Sequence, residues 1–543
     1  MSDDLGAGSA AGGVAAPSGA TTYPEGMDED TRRLHQLGYA QELNRGMGSF
    51  SNFAVSFSII SILTGGITTY YLGMDAGGPF VITIGWFIVG AFTLCVGMGM
   101  AEICSAYPTA GGLYYWSAQL ATKNKAAWSW ACGWFNLVGQ VAITASIDYG
   151  LATYVAFLIS LYVSSFHTTV LWILAFYGIL LLLHALFNTF RVKLVALLAN
   201  VSAYWHLIGT AVIVIALLAI PEHHQSVSFL FHHENLTGWT GPFAGVYAFA
   251  IGLLLAQYTL TGYDASAHMT EETHGASTGG PNGIVRAIYV SIIAGFILNL
   301  AMTLSIQGGQ TQYAALALNG PTAGGQLFVD AITGTGGKLL VIISMVAMFF
   351  CGLASVTANS RMLYAFSRDG AVPGHRLWHR LHPDTRTPVN AVWLCCVVAF
   401  ILGIPSLYQV GGYSVAFFAI VSVGTVAIYI AYVIPVFLRL RAGRSFKPGP
   451  WSLGKWSKPI GWIAVCWVVV ITILFFAPSF YPWSTAADFN WAGPVLIVVM
   501  AIVFIWYAVS ARKWFKGPKI QGDEATLEEY EAEYAAGIVP NED

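Results

Sequence analysis

Long apolar stretches separated by short polar segments recur along almost the whole chain. A membrane-spanning helix needs about 20 consecutive apolar residues with few charges. Because these stretches are apolar throughout and do not alternate at every second residue, they exclude a transmembrane barrel. The pattern therefore predicts an all-α integral membrane protein with twelve transmembrane helices. The twelve windows are 52–72, 79–101, 128–158, 169–189, 194–220, 242–263, 287–307, 339–360, 389–404, 413–438, 460–478 and 491–511.

Composition supports lipid as the main surrounding of the chain. Only 9% of the 543 residues are charged and 56% are hydrophobic, whereas soluble domains carry about 25% charged residues. The net charge of -3 gives no basis for a nucleic-acid partner. The seven cysteines lie inside apolar runs, so no disulfide framework is expected. No metal-ligand pattern, phosphate loop or nucleophile motif is present, so we predict no metal, no cofactor and no enzymatic activity.

The positions of Lys and Arg predict the orientation of the chain. With the N-terminus inside, the outer loops contain a single basic residue, Lys338. Basic residues cluster instead in the inner segments 361–386 and 439–458. Because cytoplasmic loops are enriched in Lys and Arg, both termini are predicted to be cytoplasmic. The plasma membrane is the expected location.

Five segments follow from the windows and the composition. The first 30 residues are rich in Gly, Ala and Ser and are expected to be a disordered tail. The acidic C-terminal stretch is interpreted as a solubilising tail that forms at most a short solvated helix, in preference to a docking site. The segments are an N-terminal tail (1–48), a first repeat (49–220), a second repeat (242–438), two further helices (460–511) and an acidic C-terminal tail (512–543).

Two spans contain glycine breaks flanked by hydroxyl side chains. The first span carries Thr64-Gly65-Gly66, and the sixth carries Tyr258 followed by Thr261-Gly262-Tyr263-Asp264. Close packing of helices against small residues explains many membrane glycines. Two breaks at corresponding places in two five-helix halves favour an inverted-repeat transporter instead, because such breaks form the binding site there.

The chemistry of a broken helix predicts the kind of solute. A half-helix starting after Gly66 would present N–H groups and a positive dipole end, which suit a carboxylate. The break at Thr261–Tyr263 would free carbonyl oxygens that suit an ammonium group or a cation. A zwitterionic amino acid would satisfy both breaks.

Four stretches carry a resemblance to the amino acid–polyamine–organocation (APC) superfamily, and within it to the amino acid/choline transporter family. Together they extend across most of the chain, from about residue 37 to residue 513. The stretches are Leu37–Arg45 running into Phe50–Phe57, Ala101–Pro108 with Gly111–Trp116, Thr261–Glu272, and Arg361–Gly374.

The resemblance implies a LeuT-like core of two inverted five-helix repeats plus two extra helices. It implies that the Thr64–Gly66 break holds the substrate carboxylate and that the sixth-span break holds the amine, with Tyr258 as an aromatic gate. It also implies a role for Asp264 in proton coupling. Some proton-coupled relatives carry a lysine in the fifth span, and this chain has none there. The resemblance therefore does not imply that this route of coupling operates here.

Polar residues within the spans are the candidates for ion coupling. A charge at mid-membrane costs at least about 2.5–3.5 kcal/mol, so Asp264 and Asp148 are interpreted as functional, with an internally bonded structural role as the alternative for Asp148. His206 would shuttle protons or pack as a neutral histidine. Ser355 and Asn359 would line a cation site or join helices.

The sequence thus predicts a secondary transporter that moves a small amine-bearing solute, an amino acid or GABA, by alternating access. A proton or a sodium ion would be the coupling partner, and the bilayer the surrounding medium. A choline or polyamine carrier of the same fold is the alternative within the transport class. A transporter-like amino acid sensor is the alternative outside it, although the tails are short for a signalling domain.

Overall fold

The computed structural model describes residues 27–190, 192–408, 415–485 and 489–536. Several parts of the predicted segments lie outside these residues. They are most of the first tail (1–26), residue 191 between the fourth and fifth windows, the end of one outer loop (409–412), the start of the tenth window (413–414), residues 486–488 between the last two windows, and the end of the acidic tail (537–543). Within the described residues the chain is helical and forms no strand.

The twelve-helix prediction is confirmed. In the part of the chain that the structure describes, eleven helices are long and apolar enough to cross a membrane, and the shorter apolar helix Ala244–Thr259 occupies the position of the sixth span. The uninterrupted spans are the second (Gly78–Ala106), third (Lys125–Tyr162), fourth (Val170–Thr189), fifth (Val192–Ala219), seventh (Ala276–Leu304), eighth (Thr335–Arg368), ninth (Val389–Gly403), tenth (Val415–Ala442), eleventh (Ser457–Phe476) and twelfth (Ala492–Val509).

The third and eighth spans are longer than their apolar windows. The third helix has 38 residues and the eighth has 34, which corresponds to roughly 50–57 Å at 1.5 Å per residue. The hydrocarbon core is only about 30 Å thick. Because hydropathy detects only the part of a helix inside that core, the polar ends of both helices were missed.

The spans form an inner group and an outer group. The first span packs against the fifth, seventh and eighth, while the third packs against the eighth and tenth. The fourth, eleventh and twelfth spans lie outside this group and expose large apolar side chains such as Leu171, Ile473 and Ile502. Those side chains are the lipid-facing surface, since hydrocarbon replaces water there.

The two tails pack on each other at one end of the bundle, here called the tail face. The N-terminal helix Glu29–Gln36 contacts the C-terminal helix Glu524–Ala535, which buries Leu527 and Tyr534. The interpretation of this tail as a solvated, solubilising segment is therefore wrong. Its acidic residues are exposed on one side only, and the sparse apolar residues between them supply the docking face.

His35 joins the two tail helices. Its Nδ1 lies 2.7 Å from Glu524 Oε1 and its Nε2 lies 2.8 Å from Glu531 Oε1. Because a carboxylate can only accept, both ring nitrogens must donate and the imidazole is protonated. Burial opposes that charge, but hydrogen bonds to Glu531 and Glu524 outweigh it and raise the pKa of His35 above 6.5. Burial would raise the pKa of Glu531, but the hydrogen bonds from His35 and the Gln41 backbone lower it below 4.5.

We expect the C-terminal helix to loosen as the pH rises. The docked pKa of His35 lies above 6.5, so its contribution is complete below pH 6.5 and is lost as the pH rises through the raised value. The contribution of Glu531 is present above pH 4.5 and is lost as the pH falls through its lowered pKa. Hydrogen exchange of Glu524–Ala535, corrected for intrinsic rates and followed from about pH 5 to about pH 9, measures this loss.

The variant His35→Gln is the matched control. It keeps a polar side chain but cannot carry the charge, so exchange in the C-terminal helix should be faster at low pH and almost independent of pH. An unchanged pH profile in this variant would show that another group controls docking.

Candidate functional site

The first span is interrupted over residues 61–64. Ser61 adopts a φ of +29°, a region that side chains rarely occupy. Its hydroxyl lies 2.6 Å from the Thr64 hydroxyl and 2.7 Å from Nε2 of His206. The break in the first span is thus stabilised by a contact within it and by His206 of the fifth span.

The half-helix beyond the break begins at Gly65 and ends at Thr68. The expectation that it begins after Gly66 is wrong, because Ser61 and not a glycine supplies the unusual backbone conformation. The two glycines also differ in their surroundings. A Cβ at Gly65 would lie 2.8 Å from Cα of Thr259, whereas one at Gly66 would approach only Asn299, at 4.0 Å. Gly65 is therefore the position where no side chain fits.

The sixth span is interrupted over residues 260–264. Gly262 lies inside this break with a φ of +100°, a conformation that favours glycine. The tenth span binds the freed backbone groups. Tyr429 donates to the Leu260 carbonyl at 2.7 Å, and the Gly262 N–H donates to the Tyr432 hydroxyl at 3.1 Å. The break is thus a built feature of the fold.

The two breaks touch each other. A Cβ at Gly262 would lie 2.2 Å from Cγ2 of Ile59, just before the break in the first span. Gly65 makes the reciprocal approach to Thr259, just before the break in the sixth span. The absence of side chains at both glycines lets the interrupted helices meet at backbone distance.

A small cavity lies at this meeting point, between the first, third, sixth and eighth spans. It has room for about one water molecule. The predicted residues Thr64, Gly65, Tyr258 and Thr261 line it, while Gly66, Gly262, Tyr263 and Asp264 do not. The remaining lining residues are Ile59, Ile60, Ile143, Ile147, Thr259 and Cys351.

Tyr263 and Asp264 face the scaffold helices. The ring of Tyr263 packs against Tyr432, with centroids 4.7 Å apart. The buried carboxylate of Asp264 accepts hydrogen bonds from Tyr432 at 2.6 Å, from Gln140 at 2.8 Å and from Asn136 at 3.1 Å. Three donors of this kind are the surroundings of an ionised carboxylate, and they tie the sixth-span break to the third and tenth spans.

The other candidates for coupling also have defined partners. Nδ1 of His206 lies 2.8 Å from the Ser202 carbonyl, so that nitrogen donates and Nε2 accepts from Ser61. The hydroxyl of Ser355 lies 2.8 Å from that of Thr144, and Asn359 donates to Thr144 at 3.4 Å. His206 thus contacts the first break, while Ser355 and Asn359 contact the third span.

Asp148 lies beside a histidine that the sequence did not single out. Its Oδ1 is 2.8 Å from Nδ1 of His184 in the fourth span, and both side chains are fully buried. The residues that flank His184 in the sequence are apolar, so the sequence gave no indication that His184 pairs with an acid. Four polar residues of the third span recur at every fourth position, and that spacing could have placed them on one helix face. They are Asn136, Gln140, Thr144 and Asp148.

The tail face of the site is closed by ion pairs. Arg361 Nε lies 2.7 Å from Glu272 Oε1, and Arg368 lies 3.2 Å from Glu271. Both carboxylates follow the half-helix of the sixth span. These contacts anchor the end of the sixth span to the eighth span.

Comparison with known proteins agrees with this architecture. The model of the amino acid permease family matches residues 47–513. An amino-acid permease of Arabidopsis thaliana, BAT1, is 43% identical over 91% of this chain and 96% of its own length. Its homolog in Oryza sativa is 42% identical over 93% of this chain and 98% of its own length. A putative polyamine transporter of Candida albicans is 30% identical over 92% of this chain and 91% of its own length.

The match covers both breaks, the cavity and all twelve spans. The chain therefore belongs to the amino acid permease family and is a multi-pass membrane transporter of amino acids or related organic cations rather than an enzyme.

Proposed function

We propose that the protein carries an amino acid or GABA by alternating access, with the two touching breaks as the substrate site. The contact of Gly65 with Thr259 and of Gly262 with Ile59 carries this proposal. A helix bundle is stable without interrupted helices that meet. A binding site made of backbone N–H and C=O groups, however, requires the two breaks to lie next to each other.

The two halves of the substrate would bind to different breaks. The start of the half-helix, near Thr64 and Gly65, suits the carboxylate because it is the positive end of that helix. In this conformation the N–H groups of Thr64 and Gly65 donate to the Ser61 carbonyl at 2.8 and 3.0 Å, and they would exchange that partner for the substrate. Backbone carbonyls between Tyr258 and Thr261 suit the ammonium group. The hydroxyl of Tyr258 is held by Ser146 at 2.8 Å, which orients its ring toward the cavity as a gate.

The cavity lining favours an amino acid over a quaternary amine or a polyamine. Tyr258 is its one aromatic residue among those described, and Tyr263 packs away from it, whereas a quaternary amine needs an aromatic cage. The described lining also contains no Asp or Glu to pair with the charges of a polyamine. The Candida relative keeps a polyamine as the second candidate substrate.

The conformation supports alternating access because both ends of the site are closed. On the tail face, Arg361 and Glu272 join the eighth span to the end of the sixth. On the opposite face, helix Ala323–Ala331 covers the first span, and the Gly325 N–H donates to Tyr154 at 3.1 Å. The cavity is smaller than an amino acid, so a substrate would enter only when the breaks move apart, and each cover would have to open in turn.

We further propose that the protein lies in the plasma membrane with both termini cytoplasmic. Twelve crossings place both termini on the same side of the membrane, and the contact between the two tail helices agrees with this arrangement. The enrichment of Lys and Arg in the loops on that side supports a cytoplasmic tail face. In the proposed division into two inverted repeats, 49–220 and 242–438, each repeat would begin with one of the broken spans.

We expect GABA or an α-amino acid to compete for the site much better than its methyl ester. The ester keeps the amine but loses the negative charge that the first break would bind, and charge-assisted hydrogen bonds contribute about 1.5–3 kcal/mol, or roughly 10–100-fold in affinity. Inhibition of labelled uptake into proteoliposomes by matched acid and ester pairs measures this difference.

Choline and putrescine serve as controls in the same assay. If either one, or the ester, inhibits more strongly than the parent amino acid, the substrate is an organic cation and the first break does not bind a carboxylate.

A further inference from the structure

We infer that the buried pair of Asp148 and His184 is the site that binds the proton coupled to transport. This inference rests on the proposed function and assigns its coupling ion. It differs from the expectation drawn from the family resemblance, which gives that role to Asp264. The two carboxylates can be compared directly, because both are buried inside the bundle.

The two acids differ in their hydrogen-bond partners. Each acid faces a buried histidine, since Nε2 of His268 lies 3.4 Å from Oδ2 of Asp264. Asp264 also accepts from three uncharged donors, so its negative charge is stabilised whether or not that histidine carries a proton. Among the described residues, neither oxygen of Asp148 has a well-aligned hydrogen bond, and neither nitrogen of His184 has one. The 2.8 Å approach of Oδ1 to Nδ1 is therefore the main compensation for a buried charge.

One shared proton makes the pair neutral. Either the carboxyl of Asp148 or the imidazole of His184 carries this proton, and its release to water leaves a carboxylate beside a neutral imidazole, with a net charge of -1. Taking a proton from water restores neutrality. A dry site disfavours the charged form, so the enclosed conformation corresponds to the proton-bound state.

The groups around Asp148 do not replace His184 in this role. The titratable side chains near enough to interact electrostatically are hydroxyl and thiol groups, which are uncharged in their ordinary protonated forms. They are Tyr177 of the fourth span, Tyr258 of the sixth, Cys351 of the eighth and Cys396 of the ninth. Among these described neighbours, only His184 has a side chain that becomes positively charged when it binds a proton.

The eighth span is shaped to enclose the pair. A Cβ at Gly352 would lie 2.6 Å from Oδ1 of Asp148 and 2.5 Å from Cε1 of His184. The ring of His184 also packs against Phe349, with centroids 4.6 Å apart. The missing side chain at Gly352 is what allows three helices to meet around these two groups.

The pair lies directly behind the wall of the substrate cavity. Ile147 and Cys351, which line the cavity, are the sequence neighbours of Asp148 and Gly352. When the first and sixth spans move to admit substrate, water that enters the cavity would meet this wall. Opening of the cavity would therefore expose the pair to protons on the same face as the substrate.

A polar stripe connects the pair with the sixth-span break. One turn from Asp148, Thr144 contacts Ser355 of the eighth span at 2.8 Å. One turn further, Gln140 donates to Asp264 at 2.8 Å. Because these residues lie on one face of the third span, a change in the pair can be transmitted along that helix to the substrate site.

The test measures proton and substrate movement in the same vesicles. Proteoliposomes containing the pH-sensitive dye pyranine receive labelled GABA or a labelled mixture of α-amino acids, and counterflow exchange of the same labels is measured without a pH gradient. We expect Asp148→Asn and His184→Gln each to reduce substrate-driven proton entry by about tenfold or more, a typical coupling effect, while exchange stays within about twofold. Retained exchange also shows that the variant is folded.

Two further variants complete the comparison. Thr153→Val removes a hydroxyl of the third span that bonds the Tyr149 carbonyl of its own helix, and it should leave proton entry unchanged. Should Asp148→Asn fail to fold, His184→Gln decides alone, because it keeps a polar side chain at the same place.

Three results would overturn the inference. The first is proton entry in His184→Gln and Asp148→Asn equal to that of the wild type. The second is loss of proton entry in Asp264→Asn alone, which would return the role to Asp264. The third is wild-type transport of the labels without proton entry. If the wild type moves none of the labels, the proposed function itself fails and the inference fails with it.

Discussion

The variant Gly262→Ala is expected to abolish uptake. Gly262 has a φ of +100°, and an added Cβ would lie 2.2 Å from Ile59. The backbone conformation costs about 1–2 kcal/mol for a residue with a side chain, and overpacking of a tight contact costs about 1–3 kcal/mol more. The strain falls on the contact between the two breaks, so the substrate site should be displaced. Initial rates of labelled amino acid uptake into proteoliposomes measure the loss.

Gly241→Ala is a closely matched control. Gly241 has a φ of +105°, but an added Cβ would meet nothing within 4 Å. The variant therefore carries the same backbone strain without the contact to the first span, and it should keep most of the uptake. Equal losses in the two variants would mean that backbone strain, and not the meeting of the breaks, is responsible.

The variant Arg361→Met should show the largest loss of stability. The side chains of Arg361 and Glu272 are both fully buried, with Nε 2.7 Å from Oε1. Removing one partner leaves a buried charge without compensation, which costs about 3–5 kcal/mol. The free energy of unfolding, measured in mixed micelles with increasing denaturing detergent, should fall by that amount.

Two variants separate the cost of an unpaired charge from the cost of a lost contact. The double variant Arg361→Met with Glu272→Leu removes both charges and should recover most of the stability. Arg286→Met removes an exposed charge on the seventh span and should change stability by no more than about 0.5 kcal/mol. A double variant as unstable as the single one would show that packing, rather than charge, accounts for the loss.

The spans and the two breaks could be predicted because their causes are local. An apolar stretch of sufficient length determines a span, and glycine among hydroxyl residues marks the place where a helix in lipid is interrupted. Gly262 was correctly placed in its break for this reason. The first break was predicted a few residues beyond its observed position. Serine has no preference for positive φ, yet Ser61 adopts this conformation and its hydroxyl bonds His206 of the fifth span.

The partners of buried polar residues could not be predicted in this way. Asp148 was singled out by its depth in the membrane, but its contact with His184 depends on how the third and fourth spans pack. Asp264 was singled out correctly as a buried acid, yet its three donors come from two other helices. The docking of the C-terminal helix was missed for the same reason, since a long acidic stretch hides the few apolar residues that bind.

The backbone contact between the breaks also limits how the protein can evolve. One of the atoms nearest to an added Cβ at Gly65 is Cα of Thr259, which belongs to the backbone. A smaller side chain at position 259 could therefore not make room for a side chain at position 65. Selection for a new substrate could therefore not act through a larger side chain at position 65. Ile143, Ile147 and Cys351 line the same cavity with replaceable side chains, so divergence in substrate preference should accumulate on the third and eighth spans while the broken helices stay nearly invariant.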